Sequence, residues 1–307
     1  MAKSKIARFV KNPYRVFNLL ANRGWLNWLS DRAYLKLLFR ANVGRRLPLD
    51  APLSFNEKLQ WLKLYDRKPE YTAMVDKYEA KKYVAERIGE EYIIPTLGVW
   101  DRVEDIDFDS LPDRFVLKCT HDSGGLVICR DKASLDIEKV KQKLEKAMKN
   151  NFYYSYREWP YKDVKPRIIA EEYMDNGQSG GEITSAGLVD YKFYCFNGEP
   201  RFLYVSQGLE DHSSACISFL TLDWNFAPYE RSDYKPFKEL PRKPQQLDLM
   251  VEFARKLSAG TAFLRVDLYE INGQVYFSEL TFFPCAGFMP FKNSEHDFEI
   301  GSMLELK

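Results

Sequence analysis

At 307 residues, with 45% hydrophobic and 29% charged residues and a net charge near zero, the chain has the composition of an ordinary globular protein. These values exclude a disordered or fibrous chain, and no run approaches the roughly 18 uncharged apolar residues that a membrane-crossing helix needs. The five cysteines form no CxxC pair and read as reduced core residues of a cytoplasmic protein, with no secretory leader expected at the N-terminus.

Charge is unevenly spread along the chain. Residues 1–47 hold eleven basic residues (Lys3, Lys5, Arg8, Lys11, Arg15, Arg23, Arg32, Lys36, Arg40, Arg45, Arg46) against one acid, Asp31. Phe9, Tyr14, Phe17, Leu19, Leu20, Trp25, Leu26, Trp28 and Leu29 are interleaved with them. The leading expectation is a helical cap that buries its apolar residues against the body. The alternative is peripheral contact of residues 1–47 with the inner face of an anionic membrane. Nucleic acid is not expected, because the acidic remainder offers no second basic patch.

Beyond residues 48–54, Ser54-x-x-Glu57 forms a capping box that opens a helix with Phe55, Leu59 and Leu62 inward, and Pro69 closes the unit. Residues 76–88 read as helical with Gly89 just past the end. A strand at 115–119 runs into the loop 120–125 and returns at 127–129. Ile137, Val140, Leu144, Ala147 and Met148 then mark an amphipathic helix. Residues 168–172 form a short strand ahead of the polar, glycine-rich loop 175–181. Two hairpins follow, 190–196 with 201–205 around Asn197-Gly198, and 263–271 with 274–279 around Asn272-Gly273. A helix at 245–257 lies between them. This order predicts an α+β protein built on antiparallel hairpins, not a series of βαβ units.

The last hairpin is the most informative. A strict two-residue turn pairs Asp267 with Ser278. A three-residue, bulged loop pairs it with Glu279, with both carboxylates on one face about 4.5–5.5 Å apart at Cβ. Carboxylates that close raise each other's pKa unless a cation lies between them. Magnesium takes one or two carboxylates and leaves its other positions to phosphate oxygens. An edge hairpin with scattered surface charges is the plainer alternative. In the 115–125 segment, Lys118 precedes a small-residue loop where Gly124 and Gly125 let backbone N–H groups approach a phosphate; an ordinary turn is the competing reading. Asp190, Lys192, Tyr194 and Arg201 share one face if the Asn197-Gly198 turn has two residues. His121, His212 and His296 have no metal-ligand spacing, and no Walker A, GxSxG or HExxH arrangement occurs. Asp105-x-Asp107 matches the metal-binding DxD of nucleotide-sugar enzymes, but it lies in an acidic stretch that an exposed loop explains.

Only the order of the pieces is specific. Asp76-Lys77, the Lys118 strand with its glycine loop, the strand ending Glu171-Glu172-Tyr173-Met174, the charged hairpin and Arg265-x-Asp267 with Glu279 resemble the ATP-grasp superfamily. LSFNEKLQWLKLYDR, VDKYEAKKYV, FVLKCTHDSGG, REWPYKDVKPRIIAEEYM, DYKFYCFNGEPRFLYV and FSELTFFPCAGF resemble its TupA-like branch, named for teichuronopeptide biosynthesis, over roughly residues 50–300. The resemblance implies a helical N-terminal region (1–75) and two α+β subdomains (76–170 and 171–307) whose antiparallel sheets clasp ATP. Lys77 and Lys118 match the lysines on the α- and β-phosphates, and Ser123, Gly124 and Gly125 the loop that closes over the triphosphate. Glu171, Glu172, Tyr173 and Met174 match the hinge strand whose backbone reads adenine, and Asp190 the acid near the ribose. Lys192 and Arg201 resemble cations facing the γ-phosphate or the substrate carboxylate. Asp267 and Glu279 fit the magnesium ligands and Arg265 the arginine beside the acyl phosphate. The chain departs from the family at Glu279-Leu280-Thr281, where Glu-x-Asn is common.

The implied activity is ATP-dependent joining of a carboxylate to an amine through an acyl phosphate, with ADP and phosphate released. The association with cell-surface polysaccharide implies an envelope glycan or its precursor as one substrate. A glycosyltransferase and a non-catalytic ATP-binding assembly factor are the alternatives. On the leading reading, Lys118→Ala or Asp267→Ala abolishes turnover without unfolding the protein.

Overall fold

The structure is a computed structural model that describes residues 15–122, 124–175, 188–208 and 215–307. Ser123, residues 1–14 and the loop expected at 175–181, beyond Asp175, lie outside the described residues.

Two antiparallel sheets organise the chain. Strands β1 (Thr96–Trp100), β2 (Phe115–Cys119), β3 (Leu126–Cys129) and β4 (Ile168–Glu172) form a four-stranded sheet in the order β1-β4-β2-β3. Strands β5 (Asp190–Phe196), β6 (Glu199–Gln207), β7 (Cys216–Thr221), β8 (Phe263–Ile271) and β9 (Gln274–Thr281) form a five-stranded sheet in the order β7-β6-β5-β8-β9. The α+β class is as expected. β4 pairs with β1 over Ile168–Glu171 and with β2 over Ile168–Glu172, so this strand runs across the boundary expected between residues 170 and 171.

Local chemistry explains where the helices start. The Ser54 hydroxyl accepts from the Glu57 N–H while the Glu57 carboxylate accepts from the Ser54 N–H, closing the capping box of helix Phe55–Tyr65. Phe55 then packs on the rings of Tyr194, Phe196 and Phe263, so this helix plugs one end of a sheet face. The opposite face, carrying Phe193 and Cys195, is covered by helix Leu247–Ser258, and the Cys195 thiol donates to the Ala254 carbonyl. Pro69 opens the short helix Glu70–Val75 and does not simply close a unit. The helix expected at 76–88 begins at Glu79, because Asp76 Oδ1 accepts from the N–H groups of Tyr78 and Glu79 and the Lys77 N–H goes to the Thr120 carbonyl. Lys77 therefore sits on a bend tied to the glycine loop.

Helices Arg15–Asn22 and Asp31–Val43 bury Phe17, Tyr34, Leu35, Leu38 and Phe39 in a small core of their own that continues onto Trp61, Leu64 and Phe288. Arg157, 1% exposed and in the left-handed region, fastens this cap. It donates to the carbonyls of Leu26, Asn27 and Leu29 and stacks 4.2 Å from the Tyr34 ring centroid. Trp25 and Trp28 remain outside, 62% and 79% exposed. Among the described residues no helix is long and apolar enough to cross a membrane.

Candidate active site

The charged face of the five-stranded sheet is set by alternation along neighbouring strands. Asp190, Lys192 and Tyr194 on β5 pair with Tyr269, Asp267 and Arg265 on β8, and Asp267 pairs in turn with Glu279 on β9. The Asp267–Glu279 pairing agrees with one of the two expected registers, but for a different reason. The Asn272-Gly273 turn does have two residues, both at positive φ, with Ile271 opposite Gln274. A bulge at Ser278 inserts the extra residue in mid-strand and shifts Glu279 opposite Asp267.

Asp267 is fully buried and doubly neutralised. Its Oδ1 accepts from Arg265 Nε at 2.7 Å, and its Oδ2 accepts from Arg265 Nη2 at 2.6 Å and Lys192 Nζ at 2.8 Å. Burial pushes this carboxyl up, but Arg265 and Lys192 outweigh burial and hold it below its ordinary range. Asp190 lies 3.1 Å from Lys192 Nζ without a well-aligned hydrogen bond, and burial leaves its pKa raised. Arg265 Nη2 also donates to Thr281 Oγ1 at 2.9 Å, so the threonine that departs from the family pattern orients the arginine.

Across the cleft, the four-stranded sheet and helix Glu79–Ile88 present lysines. Lys118 Nζ and Lys81 Nζ each lie 2.6 Å from one oxygen of Glu171. Burial raises Glu171, yet the two lysines bring it below its usual value. Burial lowers Lys81, and Glu171 only partly restores it. Lys77 Nζ donates to the Asp122 carbonyl at 2.6 Å.

The two faces meet around a cavity of about 210 Å³ lined by Lys77, Lys81, Lys118, Glu171, Asp190, Lys192 and Glu279. Lys118 and Glu279 thus share one cavity, and Asp267 stands directly behind its Lys192 wall. Lys81 was not singled out in the sequence; it lies four residues after Lys77, a spacing indistinguishable from a solvated helix face.

Several expected site residues are placed differently. Arg201 is exposed: a bulge sets Tyr194 opposite Phe202, leaving Arg201 as the extra residue, off the charged face. Glu172, Tyr173 and Met174 continue past the cavity and do not line it, and the Glu172 N–H is taken by the Pro95 carbonyl. Gly124 is not part of the lining. Gly125 is, but its N–H donates to Asp122 Oδ1 at 3.0 Å and its φ is not positive. The value of Gly125 is space, since a Cβ there would sit 2.4 Å from Cys119 Sγ. Asp105 forms a two-point pair with Arg102, and Asp107 caps its own turn, so the DxD stretch is locally satisfied and outside the cavity.

No group of three or more His, Cys, Asp or Glu side chains fit to hold a metal occurs among the described residues. The cavity nonetheless suits a metal shared with phosphate. Glu279 is half-buried with no ion-pair partner among the described residues, and its charge helps push Glu158 and Tyr161 up. Asp267 could join Glu279 only by sharing an oxygen already committed to Arg265 or Lys192.

Two sheets closing on a lysine-rich cavity with paired acids opposite define an ATP-grasp protein. Within that class the chain belongs to the TupA-like ATPgrasp family, whose model matches residues 57–305. No curated protein sequence matches it. Among solved structures it is similar to D-alanine–D-alanine ligase from Bacillus anthracis complexed with ATP, at 16% identity and a TM-score of 0.39, covering 68% of this chain and 53% of that one. It is also similar to D-alanine–D-alanine ligase from Helicobacter pylori, at 13% identity and a TM-score of 0.40, covering 82% and 69%. A third likeness is to the ATP-grasp ligase PsnB complexed with a phosphomimetic variant of its minimal precursor, Mg and ADP, at 10% identity and a TM-score of 0.38, covering 82% and 60%. The chain spans between about half and three fifths of the length of the first three solved structures it matches.

Proposed function

We propose that the chain is an ADP-forming carboxylate–amine ligase that uses ATP and magnesium and acts on a cell-envelope glycan or its precursor. The observation that carries this reading is the single cavity that gathers Lys77, Lys81 and Lys118 from one side and Lys192 and Glu279 from the other. Lys77 and Lys118 would bind the α- and β-phosphates, and Lys81 would keep Glu171 ionised and Lys118 aimed. Lys192 and Arg265, each fixed on Asp267, present their remaining donors where a transferring phosphoryl group and the acid it activates would meet. Magnesium held by Glu279, with a shared Asp267 oxygen, would neutralise charge on the phosphates. Fixed donors of this kind need no reorganisation as charge develops, and losing one typically costs about 2.7–4 kcal/mol of transition-state stabilisation.

Ser123, Gly124 and Gly125 fit a lid that excludes water from an acyl phosphate, Glu171 to Met174 a hinge beside the adenine, and Asp190 a contact to the ribose. The exposed Trp25 and Trp28, with the Arg23 guanidinium 5.5 Å from the Trp25 ring centroid, support peripheral contact with the cytoplasmic membrane face. The test is ADP release by the purified protein against amino acids, amino sugars and uronic acids, with hydroxylamine added to trap the acyl phosphate. Hydroxamate formation with stoichiometric ADP is expected. A protein stabilised by nucleotide sugars and not by MgATP would overturn the proposal in favour of glycosyl transfer.

A further inference from the structure

The three lysines on the four-stranded side of the cavity are reached from a single strand. Glu171, on β4, holds Lys81 and Lys118 directly. Four residues earlier, Arg167 leads into the same strand, and its side chain is not part of the cavity lining. It is directed instead at the bend that carries Lys77. Arg167 Nη2 donates to Asp76 Oδ2 and to Glu79 Oε1, both at 2.8 Å, and the guanidinium carbon lies 4.8 Å from the Tyr78 ring centroid. Arg167 thus touches the residue before Lys77 and the two after it. Its main chain reaches the same place by another route. The Arg167 carbonyl accepts from the Thr120 N–H at 2.9 Å, and the Thr120 carbonyl accepts from the Lys77 N–H at 3.1 Å.

The bend needs an outside hold. Lys77 lies in neither a helix nor a strand, since one helix ends at Val75 and the next begins at Glu79. Asp76 Oδ1 accepts from the N–H groups of Tyr78 and Glu79, which fixes the shape of the turn but not its place against the sheet. Asp76 Oδ2 is the atom left for Arg167, and that contact joins the turn to β4. The Asp76 and Arg167 side chains are 4% and 14% exposed, so this charge-assisted bond is nearly dry. The Glu79 carboxylate is 43% exposed and forms the weaker arm. The ammonium of Lys77 rests on the Asp122 carbonyl at 2.6 Å, within the cavity wall. A shift of the turn would carry that ammonium away from the wall.

We propose that Arg167 is a positioning residue for nucleotide binding, which acts through the bend at residues 76–79 to hold the Lys77 ammonium at the triphosphate. With Glu171, it makes β4 the element that aligns all three lysines. The proposal rests on the reading of Lys77 as a phosphate ligand.

The test compares the affinity of the purified protein for MgATP with its affinity for adenosine, which lacks the phosphates. Arg167→Met, close in length but uncharged, is expected to weaken MgATP about tenfold, the loss of one charge-assisted contact, and to leave adenosine unchanged. In a Lys77→Met background the same substitution should cost nothing further, because its effect runs through Lys77. Equal weakening of MgATP and adenosine, or losses that add in the double variant, would make Arg167 a general support of the fold and overturn the proposal. Undiminished MgATP affinity in Arg167→Met would overturn it as well. If removing the counter-charge of buried Asp76 prevents Arg167→Met from folding, Glu79→Ala carries the test, since it opens only the half-exposed arm. That variant should bind MgATP about threefold more weakly and adenosine as before, and wild-type affinity for MgATP overturns the proposal. A wild-type protein that does not bind MgATP sinks the nucleotide reading itself, and the proposal with it.

Discussion

The two walls of the cleft carry opposite imbalances of charge. On the four-stranded side, Lys77, Lys81 and Lys118 face two acids, Glu171 and Asp122. On the five-stranded side, Lys192 and Arg265 face three, Asp190, Asp267 and Glu279. The first wall lacks an anion and the second lacks a cation, and a metal-bound triphosphate, as proposed above, would supply both in one ligand. The walls also differ in how tightly they are built. Asp267 is inaccessible and locked by three charge-assisted contacts, whereas Lys118 keeps 24% of its side chain exposed and leans on one carboxylate that it shares with Lys81. Structure and chemistry are therefore inseparable on the five-stranded side and separable on the other.

Three substitutions sharpen that contrast. The largest effect is expected at Asp267. Asp267→Asn leaves Lys192 and Arg265 buried without their shared counter-charge, a loss of about 3–5 kcal/mol of folding stability, read from urea denaturation. The expectation that position 267 can be emptied without unfolding the protein is thereby reversed. A variant with wild-type stability would show that the network is not under load.

Lys118→Ala comes next and should behave in the opposite way. Glu171 retains Lys81, so stability should change little. Stabilisation by MgATP and the rate of ADP release should fall instead, the latter by an amount corresponding to about 2.7–4 kcal/mol. A fall in stability with turnover intact would reverse the contrast between the walls.

The smallest effect concerns Glu158, which is buried. Burial pushes its carboxyl up to about 7, offset in part by Lys63 and reinforced by Glu279. In the folded protein it therefore keeps a proton that the unfolded chain loses near pH 4.3. Stability contributed at this position falls as pH rises from about 4.3 to 7, and is level above that. Glu158→Gln should remove the decline. With EDTA present and nucleotide absent, its advantage over wild type should grow through this window to at most roughly 3.7 kcal/mol. Parallel stability profiles for the two proteins would disprove the assignment.

Much of this architecture was legible in the sequence, unevenly and for physical reasons. Ile168–Glu172 and Asp190–Phe196 fall where expected: the first opens on the β-branched pair Ile168-Ile169, and the second is rich in aromatic residues ahead of an Asn-Gly turn. Strand Thr96–Trp100 is interrupted by Gly98 and was not expected, and Cys216–Thr221 was also missed although it carries Ile217, Phe219 and Thr221. Both Asn-Gly turns were readable, but the bulges at Arg201 and Ser278 were not, since a bulge is imposed by what the strand must face and has no fixed local signature. One bulge removed Arg201 from the charged face and the other delivered Glu279 to it. Lys63 shows the same limit: its sequence places it on an ordinary amphipathic helix, and the carbonyls of Tyr156 and Ala286 together with Gln60 Oε1 accept from its fully buried ammonium.

Arg157 has a consequence for how the molecule comes apart. Its guanidinium is coordinated by backbone oxygens of residues 26, 27 and 29, while its neighbour Glu158 is buried and feels the charge of Glu279. Cutting the chain near residue 30 would take away those three carbonyls and leave the buried guanidinium with only the Asp31 carboxylate, 3.6 Å from its Nε, and the disturbance would lie one residue along the backbone from Glu158. The leading helices are thus part of the cooperative unit, not a detachable handle, although the family match begins only at residue 57.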